Sequence, residues 1–184
     1  MCVTNNKGFT LLELVIGIVV FAIAISLFAS LIVPQAVRSV DPIYQVRAAE
    51  LGRSLINEIT GKSFDERSDR TGGANICGQG VNPACTSSAD LGPEEIDAGG
   101  EPIRSSFDDV DDYHNLNESG ASIENSLGDT TGLYNGFNVR VIVFYDADMD
   151  GTAETLIGNT KLITVTVTTP NDEDIMFATF RSNY

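Results

Sequence analysis

The chain has 184 residues, with 42% hydrophobic and 20% charged side chains and a mean hydropathy near zero, enough for one domain with an appendage. Eleven Lys and Arg stand against 26 Asp and Glu, a formal charge of −15, which argues against nucleic acid or an anionic membrane surface as the main partner. One histidine, His114, and no tryptophan leave almost nothing for a His-based triad or a multi-His metal centre.

The apolar residues are concentrated at the start. Leu14 to Val33 holds no charge, and its 20 residues span about 30 Å as a helix, enough to cross a bilayer. A signal peptide has a shorter apolar run followed by a small-residue cleavage site, and none is present before Pro34. A core helix this uniformly apolar would need a larger domain around it than the polar remainder supplies. Lys7, the only basic residue before the run, places the N-terminus in the cytoplasm and everything after Pro34 outside the inner membrane. Glu13 sits inside the apolar segment, where an acid at the membrane centre costs about 2.5–3.5 kcal/mol. Either it snorkels to the interface, or it has a partner within the membrane.

Lys7-Gly8-Phe9-Thr10-Leu11-Leu12-Glu13, followed by the long apolar run, resembles the leader of type IV pilins and type II secretion pseudopilins. The resemblance implies cleavage by the prepilin peptidase between Gly8 and Phe9, N-methylation of Phe9, and a role for Glu13 in assembly. A cut at Gly8 leaves a positive amine at the head of an apolar helix. A carboxylate from a neighbouring subunit can neutralise that amine inside a filament, where an unpaired charge would be costly. Cleavage also removes Cys2 and leaves two cysteines. The implied organisation is a leader over 1–8, a transmembrane and assembly helix over 9–34, and a periplasmic head over 35–184.

Beyond Pro34, Tyr44, Ala48, Leu51, Leu55 and Ile59 recur at helical spacing with charges between them, which predicts an amphipathic helix over about 43–60 that packs on a sheet. Pro34 and Pro42 are expected to kink or interrupt the join; Asp41-Pro42 equally suits a fresh helix start. Residues 61–134 are loop-rich, with glycines at 72, 73, 78, 80, 92, 99, 100 and 120. Cys77 and Cys85 lie in this stretch. In an oxidising periplasm they are expected to pair, since neither a C-x-x-C spacing nor a neighbouring His supports a metal or redox pair. Phe137 to Tyr145 and Ile163 to Thr168 alternate as strands, Pro170-Asn171-Asp172 marks a turn, and Ile175 to Phe180 supplies a third strand. The expected class is α+β: a long N-terminal helix packed on a C-terminal antiparallel sheet, with a disulfide-stapled loop region between. That order agrees with the pilin architecture.

Two acidic constellations invite chemistry. Asp146, Asp148 and Asp150 alternate before Gly151, with Glu154 beyond. They offer the oxygen ligands calcium needs, although an EF-hand would require its bidentate Glu at Ile157. The alternative is a solvated acidic turn. Phe107-Asp108-Asp109-Val110-Asp111-Asp112-Tyr113-His114 reads as an acidic surface segment anchored by Phe107 and Tyr113. Adjacent Asp side chains point apart, and no nucleophile or phosphate cradle accompanies them. No enzymatic activity and no required cofactor are expected.

Residues 40–51, Phe107 to His114 and the threonine-rich C-terminal strands resemble the minor pilins of mannose-sensitive haemagglutinin pili. That likeness implies a low-copy subunit that primes filament assembly or caps the tip. Its partners would be other pilins and the inner-membrane assembly platform, with no nucleic acid, and the mature protein would pass from inner membrane to surface filament. A secretion pseudopilin shares the leader. A membrane-anchored metal-binding module, and a DNA-uptake pilin, for which Arg38, Arg47, Arg53, Lys62, Arg67 and Arg70 would have to form a basic patch, are the further alternatives.

Overall fold

The computed structural model of the protein describes residues 8, 10–38, 41–69, 75–94, 96–100, 102–124, 129–130 and 132–184, without the side chains of 31–41. Lys7, Phe9, Arg70 and the leader before Lys7 lie outside the described residues. The chain divides into two compact units, Met1–Pro42 and Ile43–Tyr184, eight residues later than the sequence boundary at Pro34.

The first unit is built on helix α1, Leu11–Arg38. Its stretch Leu11–Ser30 has a mean hydropathy of 2.8, and none of it is buried within the structure. This helix is long and apolar enough to cross a membrane. Contrary to expectation, α1 continues through Pro34 to Arg38. A proline inside a helix removes one backbone donor, and here that loss does not end the helix, which runs on to Arg38.

Helix α2, Asp41–Thr60, opens the second unit. Pro42 falls in its first turn, where the missing N–H would have had no helical partner. The sheet has four antiparallel strands in the order β1 (Asn117–Ser119), β2 (Asn138–Tyr145), β3 (Thr160–Thr168) and β4 (Asp174–Ser182). β1 was not expected from the sequence, being only three residues long. β3 starts three residues before the predicted strand.

Register explains the core. Val139, Val141 and Val143 of β2 stand opposite Val167, Val165 and Ile163 of β3, all on one face and all fully buried. Ala48, Leu51, Leu55 and Ile59 of α2 join them in a single cluster, which Phe107, Val110, Tyr113 and Phe137 complete. Each such aliphatic side chain contributes on the order of 1.5–3 kcal/mol through burial. The helix meets β4 closely at Gly52, where a Cβ would lie 2.3 Å from the Phe177 ring. Strand period two carries the inward face one step beyond Ile163, to Lys161 opposite Tyr145. Both are fully buried.

Candidate functional site

Three places carry the chemistry legible in the sequence: the head of α1, the acidic turn after β2, and the segment from Phe107 to His114. They are built differently.

At the head of α1, Gly8 is exposed, and Phe9 lies outside the described residues. Thr10 caps the helix. Its hydroxyl accepts the Glu13 N–H at 3.3 Å, and its carbonyl accepts the Leu14 N–H at 3.2 Å. Thr10-Leu11-Leu12-Glu13 has the T-x-x-E spacing of a capping box, a signal present in the sequence but not used in reading it. Glu13 stands in the first turn, where a carboxylate also complements the positive end of the helix dipole. Large apolar side chains from Leu11 to Phe28 are exposed around it. A carboxylate is thus held at the top of an uncovered apolar helix, the setting in which a buried partner charge would matter most.

After β2 the chain turns through Asp146, Asp148 and Asp150, whose carboxylate oxygens come within 4.8 Å of one another. Asp146 is buried while the other two are exposed. Its two oxygens accept N–H groups of Asp150 at 3.0 Å and Gly151 at 2.9 Å, Asp148 accepts the Asp150 N–H at 3.3 Å, and Asp150 accepts the Thr152 N–H at 2.7 Å. Met149 and Gly151 adopt positive φ, of 60° and 83°, which lets the turn fold back on itself. Glu154 is not in the carboxylate group; its backbone N–H returns to the Tyr145 carbonyl at 2.9 Å. The structure therefore brings together three of the four residues expected to line a calcium site.

The reading of residues 107–114 as an acidic surface segment is overturned. Asp109 and Asp111 are 0% exposed and Asp112 is 1% exposed, so only Asp108 of the four faces solvent. A 3-10 turn over Asp111–Tyr113 is what turns them inward. Asp109 accepts the N–H groups of Asp111 at 2.6 Å and Asp112 at 3.2 Å, while Asp112 accepts those of Asp108 at 2.8 Å and Asp109 at 3.1 Å. The tight turn lets Asp109 and Asp112 cap each other's stretch of backbone, and it brings the Asp109, Asp111 and Asp112 carboxyls close enough to repel one another. Phe107 and Tyr113 do anchor the segment, with their rings 5.2 Å apart. Arg104 lies 5.2 Å from the Phe107 ring centre and 4.6 Å from that of Tyr113, and reaches Glu58 of α2 at 2.6 Å. His114 is a structural acceptor, taking the Val143 N–H on Nδ1 at 3.2 Å; burial holds its pKa below the usual histidine value.

The cation that the sequence reading missed is Lys161. Its ammonium contacts Asp111 Oδ1, donates to the Phe64 carbonyl at 2.7 Å, and lies 3.6 Å from Asp65 Oδ2. The Phe64 ring centre is 4.2 Å away and that of Tyr145 is 5.1 Å away. Asp65 is itself held by the N–H groups of Thr86 at 2.6 Å and Arg67 at 3.0 Å. Burial, followed by repulsion from Asp111 and Asp112, raises the Asp109 pKa to about 8. Burial raises that of Asp111 to about 6, with Lys161 opposing the shift. Period-two alternation from Ile163 back to Lys161 was the available signal.

Cys77 and Cys85 are joined in a disulfide, as expected, with their Cα atoms 4.9 Å apart. Both pack with Phe64 and Tyr145 in a second small core. Asp65 lies beside the two sulfurs, but sulfurs already bonded to each other are not thiolate ligands for a metal.

Comparison with curated proteins and with solved structures gave no match. Residues 3–29 match the family model of the prokaryotic N-terminal methylation motif. The matched residues take in Gly8, Phe9, Glu13 and most of the apolar span. That match, confined to residues 3–29, supports a prepilin-type leader of the kind shared by type IV pilins and pseudopilins.

Proposed function

We propose that the protein is a minor pilin of a mannose-sensitive haemagglutinin (MSHA) type IV pilus, resembling its D-type subunit MshD, and that its work is assembly rather than catalysis. The observation that carries this reading is Glu13, held in the first turn of an exposed apolar helix that begins within the matched leader motif. After removal of residues 1–8, the Phe9 amine of one subunit and the Glu13 carboxylate of its neighbour form a pair within the packed helices, which hydrocarbon surroundings strengthen. The span crosses the inner membrane once with the head in the periplasm, and the protein then passes into the surface filament, priming it or capping its tip. Other pilins and the inner-membrane assembly platform are its partners.

A type II secretion pseudopilin is the second reading. It shares the leader, and the acidic turn after β2 favours it to the extent that calcium holds such heads together. We propose calcium as the ligand of Asp146, Asp148 and Asp150, with Glu154 able to join only if the turn rearranges. Replacing Glu13 by Ala separates the assembly reading from an anchored binding module. Processing of the leader should proceed normally while the protein disappears from sheared filaments. Retention of the variant in filaments at the wild-type level refutes the assembly role.

A further inference from the structure

The assembly reading makes no use of the buried cluster around Lys161. Lysine is seldom fully buried, and an ion pair in a dry interior costs more in desolvation than it returns unless its remaining polar atoms are satisfied. Here they are not. Asp111 Oδ2 and Asp109 Oδ2 are buried without a hydrogen-bond partner among the described residues. The Phe64 and Tyr145 rings wall the amine in, and contact between Lys161 Nζ and the Asp111 carboxyl sets nucleophile and electrophile side by side.

We infer that Lys161 and Asp111 condense within the folded head to form an intramolecular isopeptide bond. The pair becomes reactive when the Lys161 proton passes to the Asp111 carboxylate beside it, leaving a neutral amine and a carboxylic acid protonated on Oδ2 in place of two buried charges. The neutral Nζ attacks Asp111 Cγ, forming the Nζ–Cγ bond. Asp65, 3.6 Å from Nζ, accepts the proton that nitrogen sheds. Asp109, hydrogen-bonded to the Asp111 backbone and raised to about 8 by burial and by its two acidic neighbours, carries a proton near neutrality. It lends that proton to the departing Oδ2 as the Cγ–Oδ2 bond breaks. Water leaves, and the proton held by Asp65 returns to Asp109. Amine and carboxylic acid become amide and water, with no change of oxidation state and no external reactant. The amide N–H keeps the Phe64 carbonyl as its acceptor. A buried ion pair and an orphaned carboxylate oxygen are removed together. The bond ties the central strand β3 to the segment between Phe107 and His114, so that a pull on the head has to break a covalent link rather than peel away a loop.

The test is the mass of the full chain extracted in detergent from membranes, followed by tryptic mapping after reduction and denaturation. The expected protein is one water lighter than its processed, reduced sequence. Its tryptic fragments 105–140 and 141–181 should remain covalently joined, because a linked Lys161 resists trypsin. Lys161→Met and Asp111→Ala should each restore the missing water, and Asp109→Asn should leave a mixture of linked and unlinked chains. The wild-type mass decides the matter even if those variants fold poorly. A full-mass protein with ordinary cleavage after Lys161 overturns the inference. So does a missing water that maps to a cyclic imide at Asp150-Gly151.

Discussion

Gly52 is the point at which the packing of α2 on the sheet can be broken most selectively. In Gly52→Ala the new methyl would lie 2.3 Å from Cδ2 and Cε2 of Phe177 and 3.0 Å from Cζ. Ordinary contact needs about 1 Å more, so either the helix moves off β4 or the half-buried Phe177 ring leaves the core it packs against. Overpacking of this kind costs about 1–3 kcal/mol. Alanine returns up to about 1 kcal/mol of helix propensity. The expected net loss is about 1–2 kcal/mol, or a melting temperature about 3–6 °C lower for a domain of this size. Thermal melts followed by near-UV circular dichroism would measure it. In a Phe177→Ala background the same substitution should become neutral or stabilising, because the clash has gone and the propensity gain remains. Stabilisation by Gly52→Ala in the wild-type background, or an equal cost in both backgrounds, would refute the docking of α2 against β4.

Three further outcomes are expected. Replacing Cys77 and Cys85 by Ser opens a nine-residue loop and should cost about 2–3 kcal/mol in denaturant unfolding, with a matching fall after reduction of the wild type. Asp109 keeps its proton in the folded state up to about pH 8 and loses it near pH 4 when unfolded. Its contribution is therefore complete below about pH 4 and is lost as pH rises toward 8. Unfolding free energies measured across that window should fall with pH, and Asp109→Asn should flatten the slope. Millimolar calcium should raise the melting temperature if the turn after β2 binds it. Asp148→Asn with Asp150→Asn should abolish the rise, and a rise that survives both substitutions excludes the turn.

Much of this architecture is written in local periodicity. The helical spacing from Tyr44 to Ile59 and the alternation of Val139, Val141 and Val143 or Ile163, Val165 and Val167 each reflect one face against one core, so burial follows from pattern. The leader is legible for another reason: Gly8, Phe9 and Glu13 act within a few consecutive residues. What escaped was non-local. Asp109, Asp111 and Asp112 look solvated because four acids in five residues usually are. Only a cation fifty residues from Asp111 in sequence, turned inward by the period of β3, makes their burial tolerable. Lys161 was itself hidden because the strand was taken to begin at Ile163. Arg104, the one basic residue between Asp90 and Asp129, similarly showed its role only once Glu58 of α2 and two aromatic rings surrounded it.

The assembly account rests on processing at Gly8 followed by entry into a filament. Its most direct test is N-terminal peptide mass spectrometry of the protein from sheared surface filaments and, separately, from the cell envelope. The expected result is a peptide that begins at N-methylated Phe9 in the filament fraction. The same peptide confined to the envelope would favour a pseudopilin or a priming subunit left behind. An intact Met1 in both fractions would contradict the account.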